Sequence, residues 1–449
     1  MQYHRDDTIA ALATAPGIGA VAIVRLSGKN ALEIALRLTG RRPAPRRAEL
    51  CRFRAASGEV IDRGLVLYFP APASYTGEDM IELQAHGGAV ISDWLLETLY
   101  ALGARPAEAG EFTLRAFLND KLDLTQAEAV ADLIESRSRQ ASQAALRSLG
   151  GRFSDQVHAL QAALTQLRVF VEAWLDFPDE ELDLAAQREL ADRAAAAERL
   201  LTTLRAQAAQ GAALSDGLSI AIAGPPNAGK SSLLNCLAGY DAAIVTDIPG
   251  TTRDTLKEQL LLDNLPVHIV DTAGLRTSLD PIEAEGVRRA RVEAGKADHV
   301  LWVGDIRDGI AEIAKAADEA LGEAAQYTLI ANKIDLVAAP AGRSQYGGRE
   351  VIALSALQQT GMDLLIARLK SLAGLSGEVE GALSARRRHL DALDHVAARL
   401  NAAGQAFEQG LELAAEELRA AQQSLSELTG ELSSDDLLGE IFSSFCIGK

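Results

Sequence analysis

Short β-like apolar runs, VAIVRL at 21–26 and RGLVLYFP at 63–70, are punctuated by Gly and Pro through residues 1–119, and an Ala/Leu stretch near 89–103 predicts one helix among them. This pattern predicts an α+β domain. From 123 to about 213 it changes to long Ala/Leu/Arg/Glu stretches, broken at Gly150-Gly151 and at the acidic DFPDEELD, 176–183. A helical region over 120–215 is expected. SIAIAGPPNAGKSSLLNCLAG, 219–239, passes from an apolar strand through a Gly-rich loop into a helix, and strand and helix signals then alternate to about 372. These predict an α/β domain over 216–375. Helical character returns over 376–449, where Leu411, Ala414, Leu418, Ala421, Leu425, Leu428 and Leu432 are spaced alternately by three and four, one stripe down a helix. The stripe suits packing inside the domain or an interface with a partner helix. Because helical segments flank the α/β unit on both sides, it reads as an insertion into one discontinuous all-α domain.

Composition narrows the picture. At 449 residues the chain exceeds the ~250–300 at which one core stops growing, so two to four domains are expected. The apolar content is 48%, with only 4% aromatic, and this Ala/Leu/Ile/Val bias suits helices and helix-covered parallel sheets. Sixty-two acidic against forty-four basic side chains give a net charge of −18, which excludes a general coat for nucleic acid. The charge is uneven: residues 1–50 hold eight Lys/Arg and four Asp/Glu, residues 401–449 two and nine, so a local basic site stays open. Cys51, Cys236 and Cys446 are too scattered for a disulfide framework or a zinc cluster and fit reduced thiols. With no apolar run of about 18 residues and no apolar segment in MQYHRDDTIA, the expectation is a soluble cytoplasmic protein with neither a membrane nor DNA as partner.

The candidate chemistry begins at Gly224-Pro225-Pro226-Asn227-Ala228-Gly229-Lys230-Ser231, a G-x-x-x-x-G-K-[ST] loop between a predicted strand and a predicted helix. Such glycines let backbone N–H groups close round phosphates at a helix N-terminus. Lys230 would reach the β- and γ-phosphates and Ser231 would ligate Mg²⁺, with Ala228, Gly229 and Ser232 completing the loop and first turn. Asp271-Thr272-Ala273-Gly274 follows the strand-like VHIV, placing Asp271 near the metal and the Gly274 N–H near the γ-phosphate. Asn332-Lys333-Ile334-Asp335 follows TLIA. The Asp335 carboxylate would accept from guanine N1–H and its 2-amino group, a donor pair that adenine lacks. Ser355-Ala356 after VIAL completes an ordered GTPase set. Leu275 stands where Ras-like GTPases place the glutamine that orients water; Asp280, Glu283 and Glu285 are the acids just downstream.

The segment Thr246-Asp247-Ile248-Pro249-Gly250-Thr251-Thr252-Arg253-Asp254 resembles switch I of the potassium-dependent GTPases related to Era and Der. Thr76-Gly77-Glu78-Asp79, IELQAHGG at 81–88, RAFLNDKLDLTQAEA at 115–129 and the terminal Phe445-Cys446-Ile447-Gly448-Lys449 extend the likeness over essentially the whole chain, to the MnmE (TrmE) family of tRNA modification GTPases. The resemblance implies a Ras-like GTPase domain inserted into a helical domain behind a tetrahydrofolate-binding domain. It implies K⁺ held by Asn227, Thr246, Ile248 and Thr251, Mg²⁺ held by Ser231 and Thr252, and Thr251 with the Gly250 N–H beside the transferred phosphate. Asp247 and Pro249 lie in the same nucleotide-binding loop. By spacing from the DTAG segment, the resemblance selects Glu283 to orient water.

It also implies folate contacts at Arg25, Glu82, Lys121 and Lys449, with 5,10-methylenetetrahydrofolate as one-carbon donor. Glu82 suits a pterin, which like guanine offers adjacent N–H donors. Cys446 is read as an ordinary free thiol in preference to a nucleophile. The implied function is installation of the 5-carboxymethylaminomethyl-type group on wobble uridine 34 of certain tRNAs by a homodimer that joins an FAD-dependent partner, MnmG, as a heterotetramer. No G-x-G-x-x-G follows a strand here, in keeping with FAD on the partner. The alternative is a ribosome-assembly or regulatory switch of the Era/Der kind, since the GTPase motifs serve both.

Overall fold

The computed structural model describes residues 7–175, 184–239, 258–270, 297–322, 326–375, 381–407, 410–430, 435–443 and 445–448. It divides into two compact units, one of 1–131, 148–201 and 392–449, the other of 132–147 and 202–391.

The first unit holds a six-stranded sheet of β1 (Ile9–Leu12), β2 (Val21–Ser27), β3 (Glu49–Arg54), β4 (Val60–Phe69), β5 (Met80–His86) and β6 (Arg105–Pro106), in the order β3-β4-β5-β2-β1-β6. All pairings are antiparallel except β1 with β6. Strand alternation divides its side chains between two cores. Ala10, Val24, Leu26, Phe53, Val66 and Leu83 pack with helices Ala31–Thr39 and Ala89–Ala101, the latter being the helix expected near 89–103. Ile9 and Ala11 point the other way, to Phe112 of helix Glu111–Leu118.

Helices Leu124–Glu135, Arg139–Leu149 and Arg152–Leu175 follow, interrupted at Gly150-Gly151 as the sequence predicts; the acidic break at 176–183 lies outside the described residues. The apolar stripe belongs to helix Leu411–Thr429, where Ala414, Leu418, Ala421, Leu425 and Leu428 are fully buried. They face helix Arg152–Leu175, whose Val157, Leu160, Leu164 and Leu167 are buried in turn. Gln161 Nε2 donates to Ser426 Oγ at 3.3 Å and Gln422 Nε2 to Thr165 Oγ1 at 2.5 Å across the same seam. From Ala414 to Leu428 the stripe is intradomain packing; Leu432 lies outside the described residues.

The second unit is built on a seven-stranded sheet of β7 (Leu218–Ala223), β8 (Glu258–Leu262), β9 (Leu265–Val270), β10 (His299–Asp305), β11 (Tyr327–Asn332), β12 (Gly342–Tyr346) and β13 (Arg349–Ala353). The order is β12-β13-β11-β10-β7-β9-β8, parallel from β13 to β9 with one antiparallel strand at each edge. Every residue of β10 is buried, as a central strand covered on both faces requires. Ile220, Ile222, Leu301 and Val303 face helices Lys230–Gly239 and Met362–Leu372. Ala221, Ala223, Val300 and Trp302 face helix Ile310–Leu321. Ala141, Ala144, Leu214 and Ala382 extend the first of these cores beyond the sheet's own segment.

Candidate nucleotide and folate sites

β7 is flanked by β9 on one side and β10 on the other, so the loop leaving its C-terminal end emerges where the strand order reverses, the usual ligand position of a doubly wound sheet. Backbone geometry there demands glycine at two points. Gly224 has φ +141°, and a Cβ on it would lie 2.1 Å from the Val303 carbonyl oxygen; one on Gly229, φ +97°, would lie 2.2 Å from Asn332 Nδ2. Asn227 also adopts a left-handed φ of +64°. The helix starts at Lys230, so its first N–H groups and the exposed Ser231 and Ser232 border the loop, while Ala228 is buried beneath it. Lys230 Nζ donates to the Gly224 and Pro225 carbonyls, both at 2.8 Å, and burial pushes its ammonium below the usual lysine range.

Asn332, at the end of β11, connects the loop after β13 to the glycine-rich loop after β7. Its Nδ2 donates to the Ala228 carbonyl at 2.9 Å and its Oδ1 accepts from Ala356 N at 3.0 Å, both bonds being buried. One amide therefore joins the phosphate loop to the Ser355-Ala356 loop. Ser355 Oγ donates to Asp335 Oδ1 at 2.6 Å and accepts from Gln358 N at 3.1 Å, which fixes the carboxylate's orientation. Lys333 sits at φ +68° and donates from Nζ to Asp305 Oδ2 at 2.8 Å. Hydrogen bonds from Arg307, reinforced by Lys333, hold the Asp305 carboxyl well below its ordinary range. Asp305 has no motif of its own, and only the side-by-side pairing of β10 with β11, where Asp305 faces Asn332, brings it to the site. Thr246, Asp247, Ile248, Pro249, Gly250, Thr251, Thr252, Asp271, Thr272, Ala273, Gly274 and Glu283 lie outside the described residues.

In the first unit, Arg25 of β2 and Glu82 of β5 are direct cross-strand partners, with Nη2 donating to Oε1 at 2.9 Å and Nε to the same oxygen at 3.2 Å. The guanidinium lies 5.7 Å from the ring centres of both Tyr75 and Phe112, two aromatics absent from the sequence-based set. The exposed Lys121 packs beside Gly77. Lys449 is outside the described residues, but its neighbour Gly448, φ +95°, is pressed against the Leu12 carbonyl of β1. Ala11 of that strand is opposite Arg25 in the ladder. The end of the chain is held there by a bridge of Ile447 with Ala109 and by Gly110 N donating to the Cys446 carbonyl at 3.4 Å. The Cys446 thiol is free and exposed; Cys51 and Cys236 are free and buried.

Beside this cluster runs a buried ion network that sequence reading did not single out. Arg115, fully buried, donates to Asp7 Oδ1 (2.6 Å), Glu111 Oε1 (2.9 Å) and Glu78 Oε2 (3.0 Å). Ser27 Oγ donates to the same Glu78 oxygen at 2.7 Å and shares a 2.6 Å hydrogen bond with Thr76. Burial raises the Asp7 and Glu111 carboxyls, but hydrogen bonds from Arg105 and Arg115 outweigh it and leave both below the usual range. The TGED segment is thereby a structural tie as well as a neighbour of Lys121.

A doubly wound sheet with a glycine-governed phosphate loop at its switch point is the architecture of a Ras-like P-loop GTPase domain. The model of the MnmE helical domain matches residues 124–446, and that of the GTP-binding protein TrmE N-terminus matches residues 8–121. Proteins named tRNA modification GTPase MnmE match end to end: that of Nitrosococcus oceani is 54% identical over 99% of this chain and 97% of its own, and that of Alkalilimnicola ehrlichii is 54% identical over 98% and 99%. That of Laribacter hongkongensis is 52% identical over 99% of both. The chain belongs to the MnmE family, and its architecture is that family's: an α+β N-terminal domain, a discontinuous helical domain and an inserted GTPase domain. No helix among the described residues is long and apolar enough to cross a membrane.

Proposed function

We propose that this protein is a cytoplasmic GTPase of tRNA modification, activated by K⁺, which together with the FAD-dependent partner MnmG installs the 5-carboxymethylaminomethyl-type group on wobble uridine 34. The observation that carries the reading is kinship over 99% of the chain with proteins named tRNA modification GTPase. It favours this role over a ribosome-assembly switch. The domains we assign are 1–119 for folate, 120–215 and 376–449 for the helical domain, and 216–375 for GTP. The active form is a homodimer, joined by MnmG into a heterotetramer.

The chemistry of the donor sets fits the groups implied. Ser231, exposed at a helix start, offers a hydroxyl to Mg²⁺, with Thr252 as the second side-chain ligand. Asn227 stands exposed on the loop and offers an amide oxygen to K⁺, together with Thr246, Ile248 and Thr251. These cations would neutralise charge on the triphosphate. Lys230, at the loop mouth, is positioned to move from the Gly224 and Pro225 carbonyls to phosphate oxygens. Asp335, held by Ser355, selects guanine. Glu283 orients the attacking water, and Gly250 and Thr251 stabilise the transferred phosphate.

In the folate site Arg25 engages only Oε1 of Glu82, so Oε2 is left to accept from a pterin N–H, with the half-buried Tyr75 as an apolar wall. Lys121 and Lys449 supply positive charge for the carboxylates of the folate tail. The bound 5,10-methylenetetrahydrofolate supplies the one-carbon unit.

Mass spectrometry of wobble uridine in tRNA from cells lacking the protein tests the reading. Uridine 34 without the modification is expected, and a fully modified uridine 34 overturns it. Turnover is expected to be faster in K⁺ than in Na⁺ and to be largely abolished by Glu283→Ala with GTP affinity preserved.

A further inference from the structure

We propose that the free edge of the first sheet, β3 with the loop before it, is a docking surface for the phosphate backbone of RNA; the inference rests on the reading of the chain as a tRNA-modification protein. Residues 37–63 carry eight arginines, no lysine and three carboxylates, in a chain whose net charge is −18. The fold concentrates these arginines. β3 is the outermost strand, and its Arg52 and Arg54 point to solvent while Cys51 and Phe53 point into the core. Arg63 of β4 is exposed and directly opposite Arg52 in the ladder. Like charges so placed destabilise a strand pair by themselves, and an anion bridging them removes the penalty.

Among the described residues only one of these carboxylates pairs with an arginine of the stretch, Glu49 Oε2 lying 3.7 Å from Arg41 Nε. Asp62 accepts from His86 N at 2.7 Å and lies 2.9 Å from His86 Nδ1, and Glu49 Oε1 accepts from Ala44 N at 2.8 Å. Arg42, Arg47, Arg52 and Arg63 make no ion pair with a carboxylate among the described residues. The preceding loop, Arg41-Arg42-Pro43-Ala44-Pro45-Arg46-Arg47, is held in one shape. Pro43 is buried, Pro45 bridges to Tyr68, and Arg46, at φ +56°, donates from its N to the Tyr68 carbonyl at 2.8 Å. Arg41 and Arg46 are tied back to the Leu50 and Ala73 carbonyls, so Arg42 and Arg47 are displayed from a fixed turn beside two more arginines on a strand, where alternate residues stand about 7 Å apart.

The use of arginine alone suits phosphate, which its planar fork grips with two hydrogen bonds. A two-fold contact with a second copy through this edge would set arginine against arginine, so charge complementarity favours a polyanion over self-association.

The test is binding of an unmodified tRNA transcript to the full-length chain, followed by fluorescence anisotropy over a range of KCl concentrations. The variant carries Arg42→Gln, Arg47→Gln, Arg52→Gln and Arg63→Gln. Loss of four phosphate contacts is expected to lower affinity at least tenfold at about 0.1 M salt and to reduce the slope of log K against log salt by roughly three. An unchanged urea-unfolding midpoint of the first unit is expected, which shows that the variant folds, and the corresponding four-lysine variant is expected to recover most of the salt slope. Equal affinity of wild type and variant overturns the surface. So does absence of tRNA binding by the wild type, or binding to phosphatidylserine vesicles in preference to tRNA. None of these results touches the assignment of uridine 34 modification, which the tRNA mass spectrometry decides separately.

Discussion

Asn332 shows how much of a nucleotide site can depend on one uncharged side chain. It is 2% exposed and holds Ala228 and Ala356, residues that sequence places 104 and 24 positions away. Asn332→Ala leaves a buried carbonyl and a buried N–H without partners, a loss of roughly 2–4 kcal/mol. Urea unfolding is expected to register that loss in the GTPase unit, together with weaker GTP binding. Asp335→Asn keeps the shape but presents a donor to guanine's donors, so GTP affinity is expected to fall steeply and xanthosine triphosphate to bind better than GTP, as competition binding measures. Both residues are legible in the N-K-x-D pattern; the clamp that Asn332 makes is not, because it depends on strand neighbours remote in sequence.

His299 gives the same unit a pH dependence. Burial, with the Arg368 guanidinium as a lesser cause, pushes the imidazole down to about 4, and the ring lies 2.9 Å from Thr328 Oγ1. The unfolded chain takes up a proton near pH 6.5 that the folded unit refuses until about 4. Stability is therefore full above about 6.5 and declines by roughly 3 kcal/mol as pH falls through that window. His299→Gln is expected to flatten the pH profile of the thermal midpoint between 6.5 and 4.

Among elements, the helical stripe was fully visible as a three-four spacing, but the spacing could not say what covers it. Helix Arg152–Leu175 does, and the stripe's residues are sealed at its centre. Leu418→Ala, at a fully buried position, is expected to cost about 2–5 kcal/mol in the first unit's unfolding while leaving GTP affinity of the second unit unchanged. Helix Glu111–Leu118 holds the opposite kind of contact. Arg115→Met strands three carboxylates, one of them 4% exposed, and is expected to destabilise the same unit by about 3–5 kcal/mol in denaturant titration. Nothing local in RAFLNDK marks Arg115 as buried, because its partners come from positions 7 and 78 as well as from its own helix. Arg25 and Glu82 raise the same difficulty: the sequence suggests two independent ligands, whereas register makes them a pair that presents one remaining carboxylate oxygen.

For the whole molecule, the alternation of strand and helix signals located the sheet of the second unit, and the helical flanks on either side signalled an insertion. Less legible was how far the inserted unit's core extends, since Ala141, Ala144 and Ala382 look like ordinary helix and loop alanines in sequence. A fragment of 202–391 is expected to melt several degrees above one of 216–375, with both binding GTP; equal midpoints in calorimetry would contradict the role given to Leu214 and Ala382. The placement of Ile447 beside Ala109 has a consequence in time. During synthesis, at ~5–20 residues per second, tens of seconds separate the emergence of these two segments, and the entire second unit is made in between. The contacts of Gly110 and Leu12 with this segment cannot form until residues 446–448 have left the ribosome. A polypeptide cut short between the GTPase unit and residue 446 would thus carry a complete nucleotide-binding unit attached to a first sheet that lacks these contacts, and a nascent-chain protease assay is expected to find the early-made half to be the later one protected.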